Sequence, residues 1–243
     1  MDKYLSQVRT QRKLYEMYLP LSKAEQRGVD SAFNVMEIYC SNHIEGNSYT
    51  KEETTELLDN NKPSRTKPFT DSIEVFNLNN ALVYSKSFDG TMTIDFILNL
   101  HRILTSCILN IEDCGVFKTK PNKIDDIQAS TPAHTPIHMR KLVEWFNSQV
   151  KDEDNIIKVA TEFKYRFLVI HPFADGNGRM SRLLFNSIIA RFGYVRCFIT
   201  PERREAYYSA LKDCNKTSKI DSLYRFMCES LVTSYIDVIQ YLE

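Results

Sequence analysis

The chain has 243 residues, 43% hydrophobic and 26% charged, with 31 basic residues balanced by 31 acidic ones. That length buries a sizeable core in one large domain or two small ones. The zero formal charge argues against bulk attraction to nucleic acid, which normally shows a basic excess, and no apolar run approaches the roughly 18 residues of a membrane span.

The N-terminal stretch MDKYLSQVRTQRKLYEMYLP has no apolar core of a secretory leader. The six cysteines show no CxxC spacing, so they are expected to be reduced and mostly buried, in a cytoplasmic protein without nucleic-acid or membrane partners. Apolar positions recur at helical spacing and predict helices over 4–19 and 22–40, separated around Pro20. Thr50 and Glu53 form a capping box that starts a helix over 51–60. A polar loop over 60–69 precedes helices over 70–86 and 93–109. Residues 111–137, with three prolines and a short β-like centre, predict a loop or small hairpin. Helices resume over 137–150, 155–170, 178–192, 201–213 and 219–241. The expected class is all-α with one irregular insertion. Residues 1–60 form an N-terminal helical segment and 61–243 the core, with the two expected to pack as one compact unit.

The chemistry concentrates in IHPFADGNGRMSRLLF, residues 170–185. Pro172 disfavours helix at the residue before it, so the preceding helix is expected to stop near His171. Phe173-Ala174-Asp175-Gly176-Asn177 then feeds a helix N-terminus, which offers unpaired amides and a positive dipole end. Gly176, Asn177 and Gly178 have the residue types that wrap backbone amides around an anion. Arg179 and Arg182, three apart, share a helix face and have the geometry to clamp a polyphosphate. Asp175 is a hard oxygen ligand of the kind that takes Mg²⁺ beside phosphates. His171 titrates near neutral pH and is the candidate general base. Taken singly, His171 also reads as a helix-ending histidine, Asp175-Gly176 as a turn and the arginines as a solvated face. Those readings leave the co-occurrence unexplained. The combination points to phosphoryl or nucleotidyl transfer, without the Lys-Ser/Thr of a P-loop.

This stretch resembles the Fic family signature HxFx(D/E)GNGRxxR, matching all eight fixed positions. LHRIL at 100–104, GVFK at 115–118, LVEWFN at 142–147 and ITPERREAYYSAL at 199–211 are also similar to that family's core. The resemblance implies a Fic-type helical core with a small β-hairpin flap, and transfer of AMP from ATP to a Tyr, Thr or Ser hydroxyl of a protein, itself included, with release of pyrophosphate. It implies His171 as base, Asp175 as Mg²⁺ ligand, and nucleotide contacts at Phe173, Gly176, Asn177, Gly178, Arg179 and Arg182. Further nucleoside contacts are implied at Tyr207, Tyr208 and Asn215, although both tyrosines also fit simple packing. The flap is implied at Ile124, Asp125, Asp126 and Ile127, where it would pair with an extended target segment. Glycine at both 176 and 178 favours AMP transfer over the family's phosphorylating branch. A homodimer is a further expectation from the family.

SNHIEG at 41–46 resembles the family's inhibitory pattern (S/T)xxxE(G/N), with Ser41, Glu45 and Gly46 at the fixed positions. A carboxylate there would pair with Arg182 and displace the phosphate that needs it. A surface glutamate is the plainer alternative. Two other functions stay open: an enzyme that removes AMP, with Glu45 aligning water, and a catalytically quiet binding module. After the last helix no room is expected for a DNA-binding winged helix.

Overall fold

A computed structural model describes residues 2–124, 127–150 and 155–243, with backbone alone at 123–124 and 127–128. The helices in order are α1 Lys3–Glu16, α2 Lys23–Ile44, α3 Lys51–Asn60, α4 Phe69–Ser85, α5 Ile94–Thr105, α6 Thr135–Gln149, α7 Ile156–Ile170, α8 Asn177–Arg191, α9 Arg204–Thr217 and α10 Asp221–Leu242. Capping boxes start α2 at Ser22 with Glu25 and α3 at Thr50 with Glu53. A 3₁₀ turn over Pro201–Arg203 precedes α9.

Two strands of two residues each, β1 Lys123–Ile124 and β2 Ile127–Gln128, pair antiparallel with Ile124 opposite Ile127. That pairing is too short to describe a flap. Asp125 and Asp126, expected at its tip, lie outside the described residues.

α1 stops at Glu16, three residues short of the expected 19, α9 begins at Arg204 after a 3₁₀ turn, and three further helix ends differ from the spacing by four residues. α2 runs on to Ile44, one turn beyond residue 40, and carries Ser41 in its last turn with Glu45 as its C-cap. Gly46 ends it at φ +99°, its amide on the His43 carbonyl, while Asn47 N–H reaches back to Asn42. α5 stops at Thr105 rather than 109, because the Asn77 amide from α4 takes the carbonyls of Leu104 and Ser106. α9 runs to Thr217, beyond the expected 213.

α8 is the central helix: twelve of its fifteen residues are buried. α7 packs along it, α6 against α7, and α4 and α2 reach it from the other side. α1 lies along α10. Apolar side chains from Val8 in α1 to Val238 in α10 join one hydrophobic cluster. Among the described residues no helix is long and apolar enough to cross a membrane. All six cysteines are free thiols, Cys107 alone exposed.

Candidate active site

α7 stops where proline requires it. His171 is its C-cap, in a left-handed conformation at φ 50°, with its amide on Phe167 O at 2.9 Å. Gly176, at φ 76°, is the N-cap of α8, and no side chain caps that helix. Glycine carries this left-handed conformation without strain. The His171–Gly176 loop therefore joins the end of one core helix to the uncapped, dipole-positive start of the next.

A cavity of about 160 Å³ beside this loop is lined by His171, Gly178, Arg182, Tyr207, Tyr208, Asn215 and Glu45. The structure thus brings together residues from the ends of α2 and α7, the start of α8, and α9. His171 Nδ1 is buried, which leaves Nε2 to exchange a proton with the cavity. Burial lowers the His171 pKa, helped by the Lys118 charge and opposed by the Leu168 carbonyl, Asp175 and Glu45. The ring is therefore neutral at physiological pH, as a base must be.

Arg182 is held from three directions. Its Nε donates to Ser41 Oγ at 2.9 Å, and Nη2 donates to Ser41 O at 2.8 Å and Glu45 Oε1 at 2.7 Å. A methyl group on Gly178 would collide with Glu45 Oε1, so this carboxylate sits directly over the first turn of α8. Burial raises the Glu45 pKa, but the Arg182 charge and hydrogen bond, with Arg179 and Lys164, outweigh it and hold the group below the ordinary carboxylate value. Arg179 Nη1 pairs instead with Glu74 of α4 at 2.7 Å, so the two guanidinium groups have separate carboxylate partners. Asp175 is exposed and its Oδ1 accepts the Gly176 amide at 2.6 Å.

Five residues implied as nucleotide contacts make packing contacts or hydrogen bonds of their own within the protein. Phe173 is fully buried and stacks flat on His101, ring centroids 3.7 Å apart, so its ring anchors the loop. Asn177 is tied to the loop backbone: Nδ2 donates one N–H to Phe173 O at 2.9 Å and Oδ1 accepts Phe173 N–H at 3.0 Å. Asn215 Oδ1 is occupied by the Tyr165 hydroxyl at 3.0 Å. Tyr207 is buried and Tyr208 half-buried under the Arg204 guanidinium, so both pack as well as line the cavity.

The Fic/DOC family model matches residues 91–189. A relative from Drosophila willistoni, "Protein adenylyltransferase Fic", is 30% identical over 195 residues, 79% of this chain and 39% of that protein. The protein of the same description from Drosophila persimilis is 30% identical over 211 residues, 86% of this chain and 41% of its own. The chain belongs to the Fic family. It spans about two fifths of the length of these relatives. A solved Fic domain containing signaling protein from Bacteroides thetaiotaomicron superposes with a TM-score of 0.86 at 25% identity, covering 98% of this chain and 96% of that one. Fic-1 from C. elegans superposes with a TM-score of 0.85 at 25% identity, covering 98% and 71%.

This Fic loop is braced by three residues that motif reading passed over. Lys118 donates its backbone amide to Pro172 O at 2.9 Å and its Nζ to Ile170 O and His171 O at 3.3 and 2.8 Å. Asn122 Nδ2 donates to Phe173 O at 2.9 Å. His101 accepts the Gly115 amide at Nδ1, 2.9 Å away, which places the ring hydrogen on Nε2 for Asp175 O at 3.0 Å. Each peptide is planar, so pinning these carbonyls fixes the orientation of the loop before a ligand arrives. Burial pushes the His101 pKa down to about 4, so it stays neutral and keeps that tautomer. Two of the three lie in segments, LHRIL and GVFK, whose similarity to the family was visible without a role attached.

Proposed function

We propose that this Fic protein is a self-inhibited protein adenylyltransferase, moving AMP from ATP to a side-chain hydroxyl of a target protein or of itself. The observation that carries the reading is the Glu45 carboxylate, bound to Arg182 and seated over the N-terminal turn of α8 in the cavity that holds His171. A helix N-terminus beside a buried arginine attracts phosphate oxygens. Here the chain's own anion occupies that position.

In the active state, with Glu45 withdrawn, Arg182 and the first-turn amides of α8 receive phosphate oxygens. His171 Nε2 takes the proton of the incoming hydroxyl as its oxygen bonds to the α-phosphorus, and pyrophosphate leaves as the bridging P–O bond breaks. Among the described residues no cluster of three or more His, Cys, Asp or Glu could hold a metal by itself. That fits Mg²⁺, which is commonly held by one carboxylate and substrate phosphates, and exposed Asp175 is the carboxylate in place. The ion would supply neutralisation of polyphosphate charge.

Glu45 lines the same cavity as His171, and this placement also suits a carboxylate that aligns water to remove AMP. Intact-mass spectrometry after incubation with ATP and Mg²⁺ separates the two. Glu45→Gly is expected to gain one AMP mass faster than wild type, and His171→Ala to gain none. A Glu45→Gly variant that loses the ability to release AMP from a modified target, without modifying itself faster, would replace the first reading with the second.

A further inference from the structure

A second cavity of about 480 Å³ shares no lining residue with the one at His171. Its size falls within the range of small-molecule sites. Its apolar wall includes Val29, Phe33 and Phe88. Lys86, Arg191 and Arg196 line it with Asp30 and Glu37, three cations against two acids. Lys86 and Arg191 form no ion pair among the described residues. Glu37 is 5% exposed; its Oε1 accepts Asn186 Nδ2 at 2.8 Å, and among the described residues it forms one ion pair, with Arg196 at 3.5 Å.

The position of Glu37 gives this cavity a connection to the brake. Glu37, Ser41 and Glu45 are spaced four apart on α2, and Asn186, Arg182 and Gly178 four apart on α8. Glu37 bonds Asn186, Ser41 bonds Arg182, and Glu45 bonds Arg182 above Gly178. The two helices thus share one antiparallel polar seam. One end opens into the cavity, and the other lies eight residues away, about 12 Å along α2, at the active site.

We propose that this cavity binds a small organic anion with an aromatic or aliphatic body, a carboxylate or phosphate monoester, and that its occupancy loosens the seam that seats Glu45 on Arg182. The anion meets Lys86, Arg191 and Arg196, and its body covers the apolar wall. Arg196 turning to the anion takes the ion-pair partner from buried Glu37, which weakens the Glu37–Asn186 end of the seam. A ligand moves such an equilibrium by the ratio of its affinities for the two states. The coupling rests on Glu45 being the brake; the binding does not.

The probe is 8-anilinonaphthalene-1-sulfonate, an aromatic anion whose fluorescence rises in apolar cavities, with phenyl phosphate and phenylacetate as competitors. Wild type is expected to bind it and to release it to either competitor. Binding should weaken at least tenfold in Lys86→Ala and in Ala190→Trp, which places a bulky ring at an exposed position of the lining. Saturating phenyl phosphate should raise wild-type self-modification about five- to tenfold and leave Glu45→Gly unchanged. Equal probe affinity in wild type and Ala190→Trp overturns the site. Intact binding with an unchanged wild-type rate overturns the coupling. A Glu45→Gly variant no faster than wild type overturns the brake and the coupling together, while the binding comparison still decides the site.

Discussion

Replacing Glu45 by glutamine removes its charge and keeps its shape, so it measures what the proposed brake contributes. Arg182 retains both bonds to Ser41 and loses only the charge-assisted contact at 2.7 Å. Such a bond contributes about 1.5–3 kcal/mol. The Glu45 side chain is 31% exposed against 8% for Arg182, so solvent screening favours the lower part, about 1.5–2 kcal/mol. At 1.4 kcal/mol per decade this is roughly a 10- to 30-fold rise in the population open to phosphate, and the apparent ATP affinity should tighten by the same factor while that population remains small. Calorimetric titration of ATP and Mg²⁺ into His171→Ala, with and without Glu45→Gln, reads the difference with turnover blocked. Without nucleotide the double variant should melt roughly 3–8 °C lower, and ATP should recover more of that loss than it adds to the His171→Ala parent. Because Arg182 holds the Glu45 pKa below its ordinary 4.5 against the opposing effect of burial, the contact is fully present above that value. It is lost only as pH falls through the lowered folded value, so acidification toward pH 6 should not release it. An ATP affinity unchanged within twofold would refute the claim that Glu45 competes with phosphate.

Three other perturbations test the supports of the site. His101 has a folded pKa of about 4 against an ordinary 6.5, so between those values the unfolded chain binds a proton that the folded chain excludes; relative to His101→Gln, wild type should lose about 1.4 kcal/mol per pH unit on acidification from 6.5 to 4, read from urea midpoints. Lys118→Met frees the Ile170 and His171 carbonyls that Lys118 Nζ holds, and should cost about 2 kcal/mol, roughly 4–8 °C in Tm, with kcat falling more than KM for ATP rises. Gly46→Ala adds a methyl that meets open space, so backbone strain at φ +99° acts alone; at about 1 kcal/mol it should raise self-modification about fivefold, short of Glu45→Gly, as intact mass would show.

The helices were legible because each buries one apolar stripe against α8 or a neighbour, and the α7–loop–α8 junction because proline and glycine leave few other conformations there. Ser41 and Glu45 were legible only through their spacing, since nothing near residue 45 indicates a partner at 182. The braces were harder to find. Lys118 and Asn122 act on carbonyls about 50 residues away, and His101 on one 74 residues away, and no local pattern encodes a bond to a distant backbone oxygen. The same limit hid the bonds that motif residues make within the protein. Phe173 and Asn177 belong to a motif associated with nucleotide binding, yet their side chains serve the loop's own packing. Arg179 read as half of a clamp because its partner Glu74 lies in α4, 105 residues away.

The polar seam explains why one added turn of α2 matters. Ending at residue 40, α2 would still present Glu37 to Asn186, and α8 would begin with an unshielded positive end in the cavity that His171 lines. Continuing through Ile44 brings Ser41 and Glu45 into the same four-residue register that α8 uses for Asn186, Arg182 and Gly178. Gly178 is what allows the final contact, since any side chain there would displace the carboxylate. The absence of a side chain that opens α8 to phosphate oxygens also admits Glu45. On the proposed function, phosphate binding and its suppression therefore depend on the same small space, and a change that enlarges access for one alters the other.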